Sequence, residues 1–499
     1  MNTYSYHIFY FPFKWDLKNF KDTTLSEQID MGKININPSS AWQRIDYIND
    51  DEAQSIYNEK NYYYQFVHKA LYDEKNRPDN IITHYERMEC RTPGAVTYNI
   101  KIKNRELPLT LNVEAININI YSTGVGLLSF YLANQQEDQS DPQSILAINQ
   151  YGRRIMPPFF NDIAFRRETS EYIRLDGLKD VGRYYEDFKK YTTNDTWQQA
   201  SFITNLVMDL SPNIDVTPIV DDRMFVSCWY KNDQLAKAFT SKEDAYYYQG
   251  EPTITSEEEE KLFSNFWHKF LYIDYGSVTC QNKEMREKLL KEHTYPRWQN
   301  WSSLYGCTRY SMVYLTDSNC PEHLTTTFQT IYSRMIELVL VQRISTLRFS
   351  EEVTKVSNLS NQEVTNISVR VSSLYKEYIR FVNQIYFRSV TAQEQGIEIY
   401  TMMQNNLHLR EYISDLDEEI GELFNYVFLK EERTRNDKAT FLNDIAVLLL
   451  PVSIITGFFG MNAWNAVFNQ ESGIDKQFIL LTLGVIFAIF TIIKRKKRL

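Results

Sequence analysis

Five cysteines are scattered along this chain of 499 residues, at Cys90, Cys228, Cys280, Cys307 and Cys320, and no two of them form a Cys-x-x-Cys pair. An odd number of widely spaced thiols does not make a disulfide framework. The seven histidines lie in no His-Glu-x-x-His, Cys-x-x-Cys…His or Ser/His/Asp context. These absences exclude a disulfide-stabilised secreted domain and the common catalytic motifs, and we predict that the protein is not an enzyme.

The N-terminus also lacks the features of a secretory leader. Residues Met1 to His7 contain neither a basic start nor a long apolar core, so the sequence predicts no cleavable signal. We therefore expect any membrane insertion to depend on segments near the C-terminus.

The charge balance restricts the partners of the chain. The formal net charge is -10 and 24% of the side chains are charged, so most of the chain cannot be embedded in lipid. An acidic surface argues against direct binding of nucleic acid and is compatible with divalent cations.

Long apolar runs are confined to the last 60 residues or so. A first run, over 441–462, is long enough to span a bilayer, and a second, over 478–493, spans if flanking lysines reach the interface. A loop over 463–477 joins them, and the basic tail 494–499 favours the cytoplasmic side. The sequence predicts a multi-pass protein of the plasma (inner) membrane with both termini in the cytoplasm.

The region before residue 325 has the pattern of a mixed α/β domain. Strands are predicted near Tyr6–Tyr10, Tyr98–Ile102, Val113–Ile120, Phe225–Trp229 and Met312–Leu315, where apolar and β-branched residues cluster. The polar stretch Thr240 to Thr255 divides this region into 1–240, the N-terminal α/β cytosolic domain, and 241–325, the second part of the same domain.

A helical region follows over 326–440. Pro451 is the only proline between Thr325 and Asn462, and apolar residues recur at helical spacing. A heptad seam runs through Leu409, Ile413, Leu416, Ile420, Leu423 and Val427. We predict a stalk in which one helix, from Ile399 to Asn462, continues into the first span over roughly 95 Å.

These features are combined around the tripeptide Gly460-Met461-Asn462. Asn436 precedes it, Pro451 lies eleven residues before Asn462, the aromatic Phe459 comes directly before Gly460, and a short loop, a second apolar run and a basic tail follow. In this arrangement the chain resembles the CorA-like magnesium transporters over residues 399 to 499.

The resemblance implies a homopentameric funnel: an α/β cytosolic domain, a long stalk helix whose first span lines a pore, and a second span facing lipid. It implies an ion-selectivity site at Gly460, Met461 and Asn462. The implied pore-lining residues are Asn436, Ala439, Leu442, Ala446, Leu450, Ser453 and Gly457. The resemblance also implies that Mg²⁺ is both the transported ion and a regulatory ligand. A ring of amide oxygens suits transport, because it can hydrogen-bond the water shell that Mg²⁺ is slow to lose.

Two departures from the family pattern bear on regulation. The N-terminal region is larger than is usual in the family, and the external loop delays its first carboxylate to Glu471. Family members bind regulatory divalent cations between subunits, and Asp415, Glu418, Glu419 and Glu422 lie on one helical face that could do so. The alternative is a solvated face of the stalk.

The enlarged N-terminal region also supports a second hypothesis. Some divergent members of the family are encoded beside type III CRISPR systems, and are thought to act as antiviral membrane effectors gated by a nucleotide-derived messenger. Candidate ligand-binding residues are Arg153, Arg154, Arg166 and Arg167, whose guanidiniums suit phosphate, together with the backbone amides of Ser122–Gly126. The alternatives are arginines paired with nearby acids, such as Asp162 and Glu168, and a simple turn.

Overall fold

The structure is a computed structural model of the chain. It describes residues 3–20, 23–45, 59–74, 80–103, 105–156, 170–180, 182–190, 199–220, 222–241, 265–358 and 364–460, together with Gly484 and Phe487. The loop 463–477, the basic tail 494–499 and all but those two residues of the second predicted span lie outside this set.

The strands are β1 (Ser5–Leu17), β2 (Trp42–Arg44), β3 (Ile82–Arg87), β4 (Thr97–Lys101), β5 (Leu109–Tyr121), β6 (Val125–Asn134), β7 (Tyr172–Asp176), β8 (Tyr185–Asp187), β9 (Ile214–Pro218), β10 (Phe225–Lys231), β11 (Thr294–Tyr295), β12 (Ser303–Cys307) and β13 (Ser311–Thr316). All five strands predicted from the sequence are present, although the structure extends most of them.

The α-helices are α1 (Leu25–Gln28), α2 (His68–Leu71), α3 (Pro142–Gly152), α4 (Ser201–Leu210), α5 (Asp233–Thr240), α6 (Phe266–Tyr272), α7 (Lys283–His293), α8 (Glu322–Thr327), α9 (Ser333–Ser357), α10 (Val364–Gln384), α11 (Glu394–Asn406) and α12 (Leu409–Gly460). An α/β region followed by long helices therefore confirms the broad fold class. A π-helical turn, Phe328–Tyr332, leads from α8 into α9.

One sheet organises the first 316 residues. Its main strand order is β11-β12-β13-β10-β1-β6-β5-β4-β7-β8. Strands β10 and β13 run parallel, so the segment predicted as the second part of the domain returns to the sheet that the first part builds. The polar stretch that separates the two parts in the sequence falls mostly in 242–264, outside the described residues.

Strand β1 shows why its sequence has no polar face. Its side chains alternate between two helical layers: the His7 Nδ1 lies 2.7 Å from the Asn149 Oδ1 on α3, and the Tyr10 hydroxyl lies 2.9 Å from the Ser333 hydroxyl on α9. Because both faces are covered, apolar residues occur at consecutive positions instead of every second one.

Helix α9 is fixed to the sheet by polar contacts as well as by apolar packing. Arg348 is fully buried, and its Nη1 donates to the carbonyls of Trp15 (3.1 Å) and Gly124 (3.2 Å) while its Nη2 lies 2.6 Å from the Asp16 carboxylate. The guanidinium thus satisfies backbone acceptors where a buried charge would otherwise be costly. It holds the β5–β6 turn against α9.

The chain divides into two compact units. The first contains 1–360 and 369–421, and the second contains 361–368 and 422–499. The first unit contains the whole sheet and the helices α9 and α11, together with most of α10 and the first turns of α12.

In the first unit, the predicted heptad seam is buried. Leu409, Ile413, Leu416 and Ile420 are at most 8% exposed, and the Tyr378 hydroxyl of α10 donates to the Ile413 carbonyl at 3.4 Å. In the second unit, Val427 is buried and Leu423 is half-buried. The seam therefore marks the packed face of α12, as its spacing predicted.

The predicted continuous helix from Ile399 to Asn462 is wrong. Helix α11 ends at Asn406, His408 adopts a left-handed conformation with φ of 52°, and α12 begins at Leu409. A left-handed residue cannot continue a right-handed helix. The sequence contains no proline or glycine at this point, so nothing in the periodicity indicated the break.

Candidate functional site

Helix α12 contains the predicted pore-lining residues. From Asn436 to Gly457 these seven residues are spaced by 3, 3, 4, 4, 3 and 4 positions, which places them on one face of a helix with 3.6 residues per turn. Asn436, Ala439, Leu442, Ala446, Leu450 and Ser453 are exposed in the single chain. Gly460 is the last residue of α12, while Met461 and Asn462 lie outside the described residues.

Large apolar side chains of α12 are exposed on more than this one face. Phe441, Leu442, Leu449 and Leu450 are 64%, 65%, 54% and 57% exposed. A helix that is apolar around its circumference is typical of a buried or membrane-spanning position. Within the described residues, no helix combines the length and the hydropathy that a bilayer crossing requires, so the two spans remain predictions.

The predicted acidic face lies opposite the buried seam. Asp415, Glu418, Glu419 and Glu422 are all exposed. Among the residues that the structure describes, no three His, Cys, Asp or Glu side chains are grouped so that they could hold a metal ion. The described residues of one chain thus supply no complete cation site at this face, and the site between subunits stays a prediction.

Of the four arginines predicted to clamp phosphate, the two that the structure describes are buried. Arg153 and Arg154 are buried, at 2% and 8% exposure, just after α3. The Arg154 Nη1 lies 2.5 Å from the Asp222 carboxylate, so its charge is already neutralised by an acid, although not by the acids named from the sequence. Arg166 and Arg167 lie outside the described residues.

Arg153 has a different environment. Its guanidinium lies over the ring of Tyr310 at 5.9 Å, and that of Arg223 approaches the same ring at 5.7 Å. The Arg153 Nη2 also lies 3.3 Å from the Gln150 Oε1. Two guanidiniums against one aromatic ring form a cationic cluster at the β12–β13 turn.

The turn Ser122–Gly126 uses two of its backbone amides within the fold. It joins β5 to β6, and Gly124 has a φ of 77°, a conformation that favours glycine. The amide of Ser122 already donates to the Ile81 carbonyl at 2.9 Å, and that of Gly124 to the Tyr121 carbonyl at 3.1 Å. The amides of Ser122 and Gly124 are thus committed to the fold.

Three buried histidines are titratable groups of the first unit. Burial lowers the pKa of His7 from 6.5 to about 4. Burial and the nearby positive charge of Arg334 lower the pKa of His84 to about 3, and burial followed by the charges of Arg286 and Lys269 lowers the pKa of His268 to about 4. All three are therefore neutral near pH 7.

A site that the sequence did not predict lies at the junction between α11 and α12, where the helix break leaves carbonyls without intrahelical donors. The Arg343 Nη1, from α9, donates to the Leu407 carbonyl at 3.1 Å, and the same guanidinium lies 4.3 Å over the ring of Tyr412 in α12. Arg343 therefore contacts both sides of the break. No periodicity or motif points to it, because its partner is a backbone atom 64 positions away.

The second carbonyl at this junction is bound from the sheet. The Arg309 Nε, in the β12–β13 turn, donates to the Asn406 carbonyl at 3.3 Å, and the Asn406 Nδ2 donates to the Cys307 carbonyl at 2.8 Å. Arg309 is adjacent in sequence to Tyr310, whose ring lies in the cationic cluster. The edge of the sheet and helix α9 thus meet at the start of α12.

The C-terminal part of the chain is similar to a known protein family. Residues 310–497 match the model of a family described as CorA-like Mg²⁺ transporter protein. No curated protein matches the chain. The matched region includes α9 to α12 and the Gly460-Met461-Asn462 tripeptide.

Proposed function

We propose that this protein is a homopentameric membrane channel that passes Mg²⁺ or a related divalent cation, because residues 310–497 match the model of the CorA-like Mg²⁺ transporter family. The observation that carries the proposal is the family match over a helix, α12, that ends at Gly460 of the signature tripeptide.

The proposed pore is formed by five copies of α12. A face with Asn436, Ala439 and Ala446 at helical spacing would line the axis, and the exposed apolar side chains around it would contact lipid or neighbouring copies. Leu442 and Leu450 would form hydrophobic constrictions that close by dewetting.

Selectivity is assigned to Asn462, with Gly460 and Met461 shaping the turn that presents it. A ring of carboxamide oxygens can replace outer-shell water contacts of hydrated Mg²⁺ without binding the ion too tightly to release it. The flow of ions would follow the electrochemical gradient, and the N-terminal unit would control it. Mg²⁺ bound between copies at Asp415, Glu418, Glu419 or Glu422 would favour the closed state.

Reconstitution of the purified full chain into liposomes tests this function. With a Mg²⁺-sensitive dye inside, we expect the wild type to pass Mg²⁺ and Asn462→Ala to lose selective flux. Asn465→Ala removes an amide from the predicted external loop and serves as the matched control. Wild-type flux no faster than that of protein-free liposomes, or equal flux in wild type and Asn462→Ala, would contradict the proposal.

The alternative, an effector of type III CRISPR defence gated by a nucleotide-derived messenger, has weaker support. Arg154 is neutralised by Asp222, whereas Arg153 lies in a cluster whose Tyr310 neighbours the junction residue Arg309. In the same liposomes, flux that requires an added nucleotide and is lost in Arg153→Met would favour the effector. Flux without any nucleotide would favour the transporter.

A further inference from the structure

Helix α11 is held rigidly by a buried polar network. The Gln342 Nε2, on α9, donates to the Tyr400 hydroxyl at 2.8 Å, and the Gln404 Nε2 donates to the Gln342 Oε1 at 3.1 Å and to the Phe387 carbonyl at 3.0 Å. Tyr400 also donates to the Phe387 carbonyl at 2.7 Å. These bonds join α11 to α9 and to the Phe387 carbonyl, while the Gln404 Oε1 is buried without a hydrogen-bond partner among the described residues. Any change in the direction of α12 must therefore occur after α11, at the break.

At the break, two carbonyls lack the hydrogen bonds that would stiffen a continuous helix. The amide of His408 donates to the Asn405 carbonyl at 3.0 Å, and the next helical bond runs from the amide of Tyr412 to the His408 carbonyl at 3.2 Å. The carbonyls of Asn406 and Leu407 thus lack the helical donors that a continuous helix would supply. They are bound by Arg309 and Arg343 instead.

From this geometry we propose that Arg343 is a positioning residue for the permeation helix: its guanidinium, bonded to the Leu407 carbonyl and stacked on Tyr412, sets the direction of the first turns of α12. The positive charge also suits the negative end of the dipole of α11. Because the guanidinium contacts the last turn before the break and the first turn after it, its removal frees one side to rotate against the other.

The consequence for gating depends on the proposed channel function. If α12 lines the pore, the first unit acts on the pore through the start of this helix, and Arg343 is the side chain that transmits the coupling. Coupling between two sites commonly changes an affinity by about 5- to 150-fold. Loss of Arg343 should therefore raise the Mg²⁺ concentration needed for closure by at least about fivefold, while the buried core stays intact.

A distance measurement tests the positioning role without any transport. Asn405→Cys on α11 and Ser414→Cys on α12 are exposed sites for spin labels, in a background with the half-buried thiols removed by Cys280→Ser and Cys320→Ser. In the full chain, we expect a narrow distance distribution that broadens in Arg343→Met. Arg410→Met, at an exposed arginine in the first turn of α12, should leave the distribution narrow. An unchanged distribution in Arg343→Met would overturn the proposal.

Flux in liposomes tests the consequence for gating. Arg343→Met should require more Mg²⁺ for half-closure than the wild type, with Arg343→Lys between the two because it keeps the charge but loses the planar stacking surface. The unfolding midpoint should stay near that of Arg410→Met. If the labels report a loosened junction but the wild type passes no Mg²⁺, the channel function fails and the positioning role stands.

Two further variants test the backbone conformation of the same junction, at His408. His408→Val should loosen the break, because a β-branched residue is strongly disfavoured at positive φ, whereas His408→Gly tolerates that conformation. We expect His408→Val to broaden the label distances and His408→Gly to match the wild type. Identical distances in both variants would contradict a junction that depends on the left-handed conformation.

Discussion

Strand β1 and the segment 441–450 of α12 are both rich in large apolar side chains, yet their environments are opposite. Phe9 in β1 is fully buried, whereas Phe441 and Leu449 in α12 are 64% and 54% exposed. In β1, two helical layers of the same chain cover the apolar surface. In α12, the described residues supply no such cover for these side chains.

This difference shows which contacts can stabilise each region. Burial of a large apolar side chain contributes about 1.5–3 kcal/mol, and β1 obtains this contribution when one chain folds. The exposed residues of α12 can obtain it from lipid, detergent, other copies or segments outside the described residues. This contrast agrees with the proposed channel, in which α12 packs against its symmetry mates and the bilayer.

The largest predicted effect comes from comparing one truncation to alanine in each of the two regions. Phe9→Ala should lower the free energy of unfolding by about 3–5 kcal/mol, because it leaves a cavity in a closed core. Leu449→Ala should change it by less than about 1 kcal/mol for the chain in detergent, because the side chain is already exposed. Denaturation followed by tryptophan fluorescence measures both.

The control for this pair is the oligomeric state. If Leu449→Ala destabilises the detergent-solubilised monomer as much as Phe9→Ala does, the side chain is buried within one chain and the contrast fails. A loss of pentamer without a loss of monomer stability would instead support contacts between copies.

A smaller effect should appear with pH. His7 has a pKa lowered to about 4 in the folded state, so between pH 6.5 and pH 4 the unfolded chain binds more protons. Stability is then fully present above pH 6.5 and falls as the pH decreases through this window. One such histidine lowers it by about 2 kcal/mol at pH 5.

Thermal unfolding at pH 7.5 and pH 5 checks this prediction. His7→Gln should reduce the pH dependence while His84 and His268 preserve part of it. The segment 441–450 contains no histidine, so we expect the oligomeric state in detergent to remain unchanged over the same interval. A wild-type stability that is constant from pH 7.5 to pH 5 would contradict the buried, neutral histidines.

The smallest change in the free energy of unfolding is expected from substitutions on the exposed acidic face in the absence of Mg²⁺. Replacing Glu418 and Glu419 by Gln should change the free energy of unfolding by no more than about 0.5 kcal/mol each when Mg²⁺ is removed by EDTA. If the face binds Mg²⁺ between copies, the variant should also lose the stabilisation that added Mg²⁺ gives the wild type. Glu411→Gln, at another exposed acid of α12, is the control.

The sequence predicted secondary structure correctly where apolar residues were continuous or regularly spaced. Alternating or continuous apolar residues located the strands β1, β4, β5, β10 and β13, and the 4-3-4-3 spacing located the buried seam of α12. Features that depend on distant partners were missed. Arg154 was a candidate phosphate ligand, with pairing to a nearby acid such as Asp162 or Glu168 as the alternative, and its partner is Asp222, 68 positions away.

The helix break illustrates the same limit. The sequence around His408 contains no helix breaker, and the conformation is stabilised by Arg343 and Arg309, which reach the junction from a helix and a turn far away in the sequence. Such contacts exist only after the sheet and its helices have assembled. The selectivity residues Met461 and Asn462 were named from the family resemblance and remain predictions.

By itself, the sequence determined the division into an acidic α/β region and a C-terminal apolar region, the spacing that gives α12 its buried seam, and the signature by which residues 399 to 499 resemble a transporter family. Periodicity and composition are local properties, and they survive in the folded chain. Only the tertiary structure decided which charges are neutralised, which backbone amides are occupied and where the long helix begins, because each of these depends on which residues folding brings together.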